Sequence, residues 1–261
     1  MTRIIPLQGV RNFRDFGGWT AGEGARVRRG RLFRSGHFSG ATPEDWRALE
    51  PLSIEAVADL RRSTERARDP SDWPADWRVE VIASDDAHLG EAPHIRFLTE
   101  TETITEDATR GYMMGSYRRI PFEPGHQAVF KTFMRRAAEG RRVVAHCAAG
   151  KDRTGVLCAL TLSALGVPQD QVIEDYLMTN EAVELDKVLP TIAKRMNAAL
   201  NLRAEPQALA PMIGVQPDFL DSAFDEIESR SGSVDAYLDS ELGLTDERRE
   251  ALRKALLEPD V

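Results

Sequence analysis

Apolar and polar positions change period along the chain, and those changes mark out its elements. The stretch Ile54-Glu55-Ala56-Val57-Ala58-Asp59-Leu60 alternates loosely and ends in charge, as a core strand does. Arg78-Val79-Glu80-Val81-Ile82 and Arg142-Val143-Val144-Ala145-His146 predict two further strands. Helical spacing runs instead from about Thr105 to Arg119 and from about Gly125 to Ala138. Thr42-Pro43-Glu44-Asp45 reads as a helix start, with a hydroxyl cap, proline at the first helical position and carboxylates in the first turn. Thr154 to Leu165 is apolar on nearly every face and predicts a buried helix, ended by Gly166 and Pro168. Beyond it, residues 169–180, 182–200, 219–229, 234–242 and 246–257 all favour helix, with Pro190 expected to kink or split the second of these. Strands alternating with helices, then helices alone, predict an α/β fold with a helical C-terminal part over about 169–261.

No repeat, heptad seam or low-complexity block interrupts this order, and no linker rich in Gly, Ser or Pro divides it. The expectation is a single domain over residues 1–261. Asn12 to Gly18 ends in a double glycine, and Gly22, Gly24 and Gly30 follow, which predicts short strands and turns. Residues 81–110 set seven acids against two arginines, a net charge of −5. So long an acidic excursion is read as a surface insertion or lid over about 84–120.

Composition narrows the classes. Lys and Arg number 34 against 42 Asp and Glu, a net charge of −8, which argues against a general nucleic-acid binder. The N-terminus lacks the apolar run of a secretion signal and no 18-residue apolar stretch exists, so a cytoplasmic protein without membrane insertion is expected. Arg26 to Arg34 holds five arginines and no acid, read as the solvated face of a hairpin in preference to a membrane patch. The two cysteines, Cys147 and Cys158, would stand ~16 Å apart on one helix, beyond disulfide reach. At least one of them needs another explanation.

The segment from Val143 to Gly155, VVAHCAAGKDRTG, supplies it. A strand delivers Cys147, a short loop follows, and a helix begins at Arg153 or Thr154. Loop N–H groups can converge on one point, where the helix N-terminus adds its partial positive charge. A cysteine on the floor of such an anion cradle is favoured as its nucleophilic thiolate. Arg153 can fold back to offer two parallel donors to a phosphate, and the small Ala148, Ala149 and Gly150 let backbone approach the ligand. Thr154 is placed to hydrogen-bond the thiolate as it departs. A Walker-type nucleotide loop is excluded, because Gly150-Lys151 is followed by Asp152 and Ala145 stands where the first glycine belongs. Cys158, one turn past Thr154, is read as core. The remaining histidines lack metal-ligand spacing, so neither metal nor other cofactor is expected.

This loop resembles that of the cysteine-dependent protein tyrosine phosphatases. Cys147-Ala-Ala-Gly-Lys-Asp-Arg153 in particular is similar to the bacterial atypical group with tyrosine and phosphoinositide phosphatase activity. Supporting marks sit in family order: Asn12-Phe13-Arg14-Asp15, Arg31 to Ser35, Asp59-Leu60-Arg61 with Glu65, Asp175-Tyr176-Leu177 with Asn180, and Tyr237-Leu238. The resemblance implies a central, mainly parallel sheet flanked by helices, no metal, and in some members a helical lid. It also implies a phosphotyrosine protein or phosphoinositide as substrate, with Lys151 suited to multiply phosphorylated headgroups. His146 is read as orienting the loop from beneath, and Asp59 and Arg61 as supporting residues. Asp59, Asp85, Asp86 and Asp152 are the candidates for the general acid; the resemblance puts Asp86 first and Asp152 second. Two other readings stay open: a catalytically weak phosphate-binding module, and a sulfurtransferase or arsenate-reductase-like cysteine enzyme. Oligomeric state is not legible.

Overall fold

The computed structural model describes residues 3–85 and 93–260. Its strands are β1 (Arg14–Asp15), β2 (Thr20–Ala21), β3 (Ala25–Val27), β4 (Leu32–Ser35), β5 (Ala56–Asp59), β6 (Glu80–Ala83), β7 (Val143–His146) and β8 (Leu257–Pro259). Helices α1 (Pro43–Leu49), α2 (Ser63–Arg68), α3 (Pro93–Glu100), α4 (Glu106–Arg119) and α5 (Pro124–Ala138) precede β7. After it come α6 (Asp152–Ala164), α7 (Gln169–Ala182), α8 (Leu185–Leu200), α9 (Pro206–Ile213), α10 (Pro217–Ser231), α11 (Val234–Ser240) and α12 (Asp246–Leu256).

The main sheet has the order β1-β4-β7-β5-β6. Strands β4, β7, β5 and β6 run parallel, and β1 closes one edge antiparallel. A central parallel strand is covered on both faces, and β7 is buried at all four positions. Its side chains alternate between faces. Val143 and Ala145 join Ala56 and Ala58 in the larger apolar cluster, whereas Val144 joins Val57, Phe33 and Phe13 in the other. Register then matters for function. Ser35, His146 and Asp59 stand side by side at the C-terminal ends of β4, β7 and β5, with Ala83 of β6 next to Asp59. The segments leaving all four strands therefore emerge at one edge, where parallel α/β sheets hold their ligands.

Helix α6 is anchored behind that edge. Ten of its thirteen residues are buried, including Leu157, Leu160 and Leu162. At about 2 kcal/mol for each buried leucine, this core fixes where the N-terminus of α6 meets the loop. Helix α1 begins as its sequence predicts. Thr42 Oγ1 accepts from Asp45 N at 3.2 Å, and the Asp45 carboxylate accepts in return from Thr42 N at 3.0 Å.

Three expectations need correction. Of the kink or split expected at Pro190, the split does not occur: α8 runs through Pro190, and the break falls at Val183–Glu184, where Glu184 takes φ +51°. The C-terminal part is not wholly helical. Strand β8 pairs antiparallel with β3, in a second sheet ordered β2-β3-β8. The helix after the Cys147 loop starts at Asp152, one or two residues before the predicted Arg153 or Thr154. The arginine-rich stretch serves local ties: Arg26 pairs with Asp260 at 2.5 Å, Arg28 donates to Leu257 O, and Arg31 donates to Gly140 O. The acidic excursion folds in part into α3 and α4, and Thr109 of α4 donates to Ala208 O of α9 at 2.7 Å. Residues 86–92 of the expected lid, with Asp86, lie outside the described residues. Among the described residues no helix is long and apolar enough to cross a membrane.

Candidate active site

Cys147 leaves β7 and is buried, and the chain bends through residues 148–151 before α6. What shapes that bend is the fate of its carbonyls. Ala148 O accepts from His37 N at 3.2 Å. Ala149 O accepts from Asn12 Nδ2 at 3.2 Å, and Gly150 O from Asn12 Nδ2 at 2.9 Å and Arg34 at 3.1 Å. Each carbonyl is thus held on the outer side by the segments that carry β1 and β4. In a trans peptide the N–H points opposite to the C=O, so the N–H groups of Ala149, Gly150 and Lys151 face the concave side. Among the described residues, no protein acceptor takes them. Gly150 is required for this turn: its φ is +67°, and a Cβ there would overlap the Ser35 carbonyl. Asn12, itself at φ +61°, is of the non-glycine type that best tolerates the left-handed region.

Arg153 lies in the first turn of α6. Its guanidinium donates to both carboxylate oxygens of Glu65, at 2.6 and 2.9 Å, and to Leu60 O at 2.9 Å. Glu65 Oε2 also accepts from Arg62 N at 2.8 Å, which ties the pair to the start of α2. Burial works against the Glu65 charge, but the Arg153 fork outweighs it and holds this carboxyl down at about 2. Arg153 is correspondingly held above its ordinary range: burial opposes the charge, and Glu65 overrides it.

His146 is completely buried beneath the loop. Burial pushes it down to about 4, so the ring is neutral, and its Nδ1 lies 3.3 Å from Cys147 O. Its Nε2 stands 3.6 Å from Asp59 Oδ2. Asp59 is committed to Arg61: Nε and a terminal nitrogen donate to its two oxygens at 2.9 and 2.7 Å, and Arg61 N adds a third bond. Against the cost of burial, that fork keeps Asp59 below the usual carboxylate range. Thr154 Oγ1 is buried and has no hydrogen-bond partner among the described residues.

Lys151 and Asp152 turn toward the helices. Lys151 Nζ donates to Met212 O at 2.6 Å and Gly214 O at 3.0 Å, at the C-terminal end of α9, and lies 3.4 Å from Asp152 Oδ1. Asp152 accepts from the Tyr117 hydroxyl at 2.8 Å, and Tyr117 accepts from Tyr176 at 2.6 Å. Asp85 is fully exposed and pairs with Arg66 at 3.0 Å. Asp86 lies outside the described residues. A depression lined by Leu60, Arg61, Arg62, Ser84 and His126 adjoins the Arg153 anchor point. Among the described residues no three His, Cys, Asp or Glu side chains gather as metal ligands would.

A cysteine beneath inward-facing amides and a fixed arginine matches what comparison finds. A model of the tyrosine phosphatase family matches residues 5–258. The chain belongs to that family. A triple specificity protein phosphatase of Mycobacterium tuberculosis is 34% identical over 268 residues, covering 90% of this chain and 92% of its own length. A Cupriavidus necator protein named as a candidate tyrosine-protein phosphatase is 32% identical, over 88% of this chain and 80% of its own. A tyrosine-protein phosphatase of Nostoc commune matches 58% of the chain at 29% identity. The chain is a phosphatase enzyme of this family, with the parallel-sheet α/β fold expected of it.

Residue reasoning brought Cys147, Arg153 and the small loop residues together, and the structure joins them at one strand end. It gives no role in the loop to Glu65, Asn12 and Arg34, which enter through the resemblance and, for Arg34, the arginine-rich stretch. Their roles rest on pairings across 88, 137 and 116 positions of sequence. Local spacing carries no signal for such distances.

Proposed function

We propose that this phosphatase hydrolyses phosphomonoesters through a cysteinyl-phosphate intermediate on Cys147. The observation that carries the reading is the outward anchoring of three successive loop carbonyls above Cys147, which leaves three N–H donors for a phosphate. In the first step the Cys147 thiolate attacks phosphorus, the P–O ester bond breaks, and the leaving oxygen takes a proton from a carboxylic acid. In the second, water attacks phosphorus, the S–P bond breaks, and inorganic phosphate and the thiolate are released. The loop amides and Arg153 bind the phosphoryl oxygens in both transition states. Glu65 presets the guanidinium. Thr154, whose buried hydroxyl has no partner among the described residues, is assigned to the departing thiolate.

Asp86 is the proposed general acid and Asp152 the second candidate. Asp152 is already hydrogen-bonded by Tyr117, which argues for a fixed carboxylate and keeps it behind Asp86. Phosphotyrosine proteins are the proposed substrates, with phosphoinositides as a further class. The triple specificity named for the mycobacterial relative supports a broad range. Two free, buried cysteines suit a reducing cytoplasm, which is the proposed location. Hydrolysis of p-nitrophenyl phosphate without added metal, blocked by vanadate, is the expected result. Absence of hydrolysis with phosphate binding intact would leave a binding module, and dependence on thiosulfate would indicate sulfur transfer.

A further inference from the structure

Behind the loop lies a cluster that the reaction above does not use. Arg14 of β1 and Arg34 of β4 are both completely buried, and among the described residues Asp175 of α7 is the one carboxylate that meets them. Arg34 donates to Asp175 Oδ2 at 2.7 Å and to the Gly150 carbonyl at 3.1 Å. Arg14 is poorer in counter-charge. It donates to Asp175 O at 2.9 Å, Thr179 Oγ1 at 3.2 Å and the Asn12 carboxamide oxygen, while its Nε stays 3.8 Å from the Asp175 carboxylate. Among the described residues the Nε atoms of both arginines have no hydrogen-bond partner. Cys158 nearby is no counter-ion, since burial pushes its thiol up to about 12. Among the described residues, two buried guanidiniums therefore share one carboxylate.

An unbalanced buried charge costs several kcal/mol unless something compensates it. The nearest compensating group is on the other side of the Gly150 peptide. Arg34 and Asn12 both donate to Gly150 O, and the N–H of the same peptide unit, on Lys151, faces the concave side. We infer that Arg14 and Arg34 are positioning residues whose surplus positive charge, relayed through the Gly150–Lys151 peptide, is balanced by the phosphoryl dianion bound in the loop. Burial first, and then the Arg34 charge, pull Arg14 down to about 9, whereas Arg34, hydrogen-bonded to Asp175, is held above its ordinary range, so the shortage of counter-charge falls on Arg14. Donors on a carbonyl also polarise its peptide and strengthen the N–H on the opposite side. One peptide and one hydrogen bond place the Arg34 charge on the order of 10 Å from phosphorus, and Arg14 reaches the same peptide through the Asn12 carboxamide, one link further. At that range one unit charge changes anion affinity roughly tenfold.

The inference rests on the proposed phosphate site, and the test separates the two. Binding of orthovanadate and inorganic phosphate is measured by calorimetry on the parent chain, Arg153→Ala, Arg14→Met, Arg14→Lys and Asp175→Asn, with circular dichroism to confirm folding. The parent should bind and Arg153→Ala should lose binding; if not, the phosphate site itself is misplaced. Given that site, Arg14→Met should bind oxyanion roughly tenfold more weakly. Asp175→Asn, which removes the shared anion, should bind more tightly by a similar factor. Arg14→Lys keeps the charge, loses the fork, and should stay near the parent. If Asp175→Asn weakens binding as Arg14→Met does, or neither moves it, the cluster is only a structural strut and the inference is wrong. Where Arg14→Met does not fold, the sign for Asp175→Asn and the Arg14→Lys value decide the matter.

Discussion

Replacing Glu65 by Gln keeps the side chain's shape and removes the charge that holds Arg153. The carboxylate accepts two bonds from Arg153, at 2.6 and 2.9 Å, and one from Arg62 N at 2.8 Å. The amide offers one acceptor and turns an NH2 toward a donor already in place. The carboxyl is held at about 2 against an ordinary 4.5. At 1.36 kcal/mol per pH unit this is worth roughly 3 kcal/mol, trimmed to ~2 kcal/mol for partial solvent access. The sign follows from linkage. Because the folded protein holds Glu65 ionised more firmly than the unfolded chain, the stabilisation is complete above about pH 5. It fades as pH falls from 4.5 and is gone below about 2. Urea unfolding at pH 7 should therefore show Glu65→Gln ~2 kcal/mol less stable, and the gap should close as both proteins are taken toward pH 2. Released from its anchor, Arg153 should also lower kcat/KM for p-nitrophenyl phosphate by tenfold or more, because a misplaced fork loses transition-state contacts. A loss under ~0.5 kcal/mol, or one that stays constant with pH, would refute the linkage reasoning.

Gly150→Ala should abolish turnover and vanadate binding together, since a Cβ there collides with the Ser35 carbonyl and the left-handed turn is lost; steady-state assay with vanadate titration checks it. Asp86→Asn should slow phenyl phosphate hydrolysis by 10²–10⁴-fold and a highly fluorinated aryl phosphate far less. The same pattern in Asp152→Asn, and not in Asp86→Asn, would reverse the assignment. Lys151→Ala should lower the unfolding temperature and reduce phosphoinositide and aryl phosphate turnover by similar factors, because its ammonium caps the end of α9. A loss confined to phosphoinositides would instead put Lys151 on the substrate.

Much of the site was legible because it is local. The loop from Cys147 to Arg153 lies between an apolar strand and an apolar helix, so hydrophobic pattern alone set a cysteine at a strand end facing a helix start. The cap at Thr42 and the start of α4 at Thr105 were legible for the same reason. What stayed hidden depends on distant partners. Strand β8 carries no alternation of its own and exists because residues 257–259 reach β3 across the length of the chain. Helix α9 contains two prolines and joins Ala193 of α8 and Leu98 of α3 in a separate apolar cluster, which local propensity cannot reveal. Pro190 shows the converse, a local breaker carried within a helix whose true boundary is set by the left-handed Glu184. The charge logic behind the loop was equally invisible, since Arg14, Arg34 and Asp175 meet only in the folded chain.

Chemical trapping of the intermediate tests the central claim most directly. Enzyme turning over p-nitrophenyl phosphate is acid-quenched within milliseconds, digested and mapped by mass spectrometry. The account predicts one phosphoryl group, on the peptide that carries Cys147, and neither that adduct nor turnover in Cys147→Ser. A phosphoryl group on another residue, or Cys147→Ser turning over within about tenfold of the parent, would contradict it.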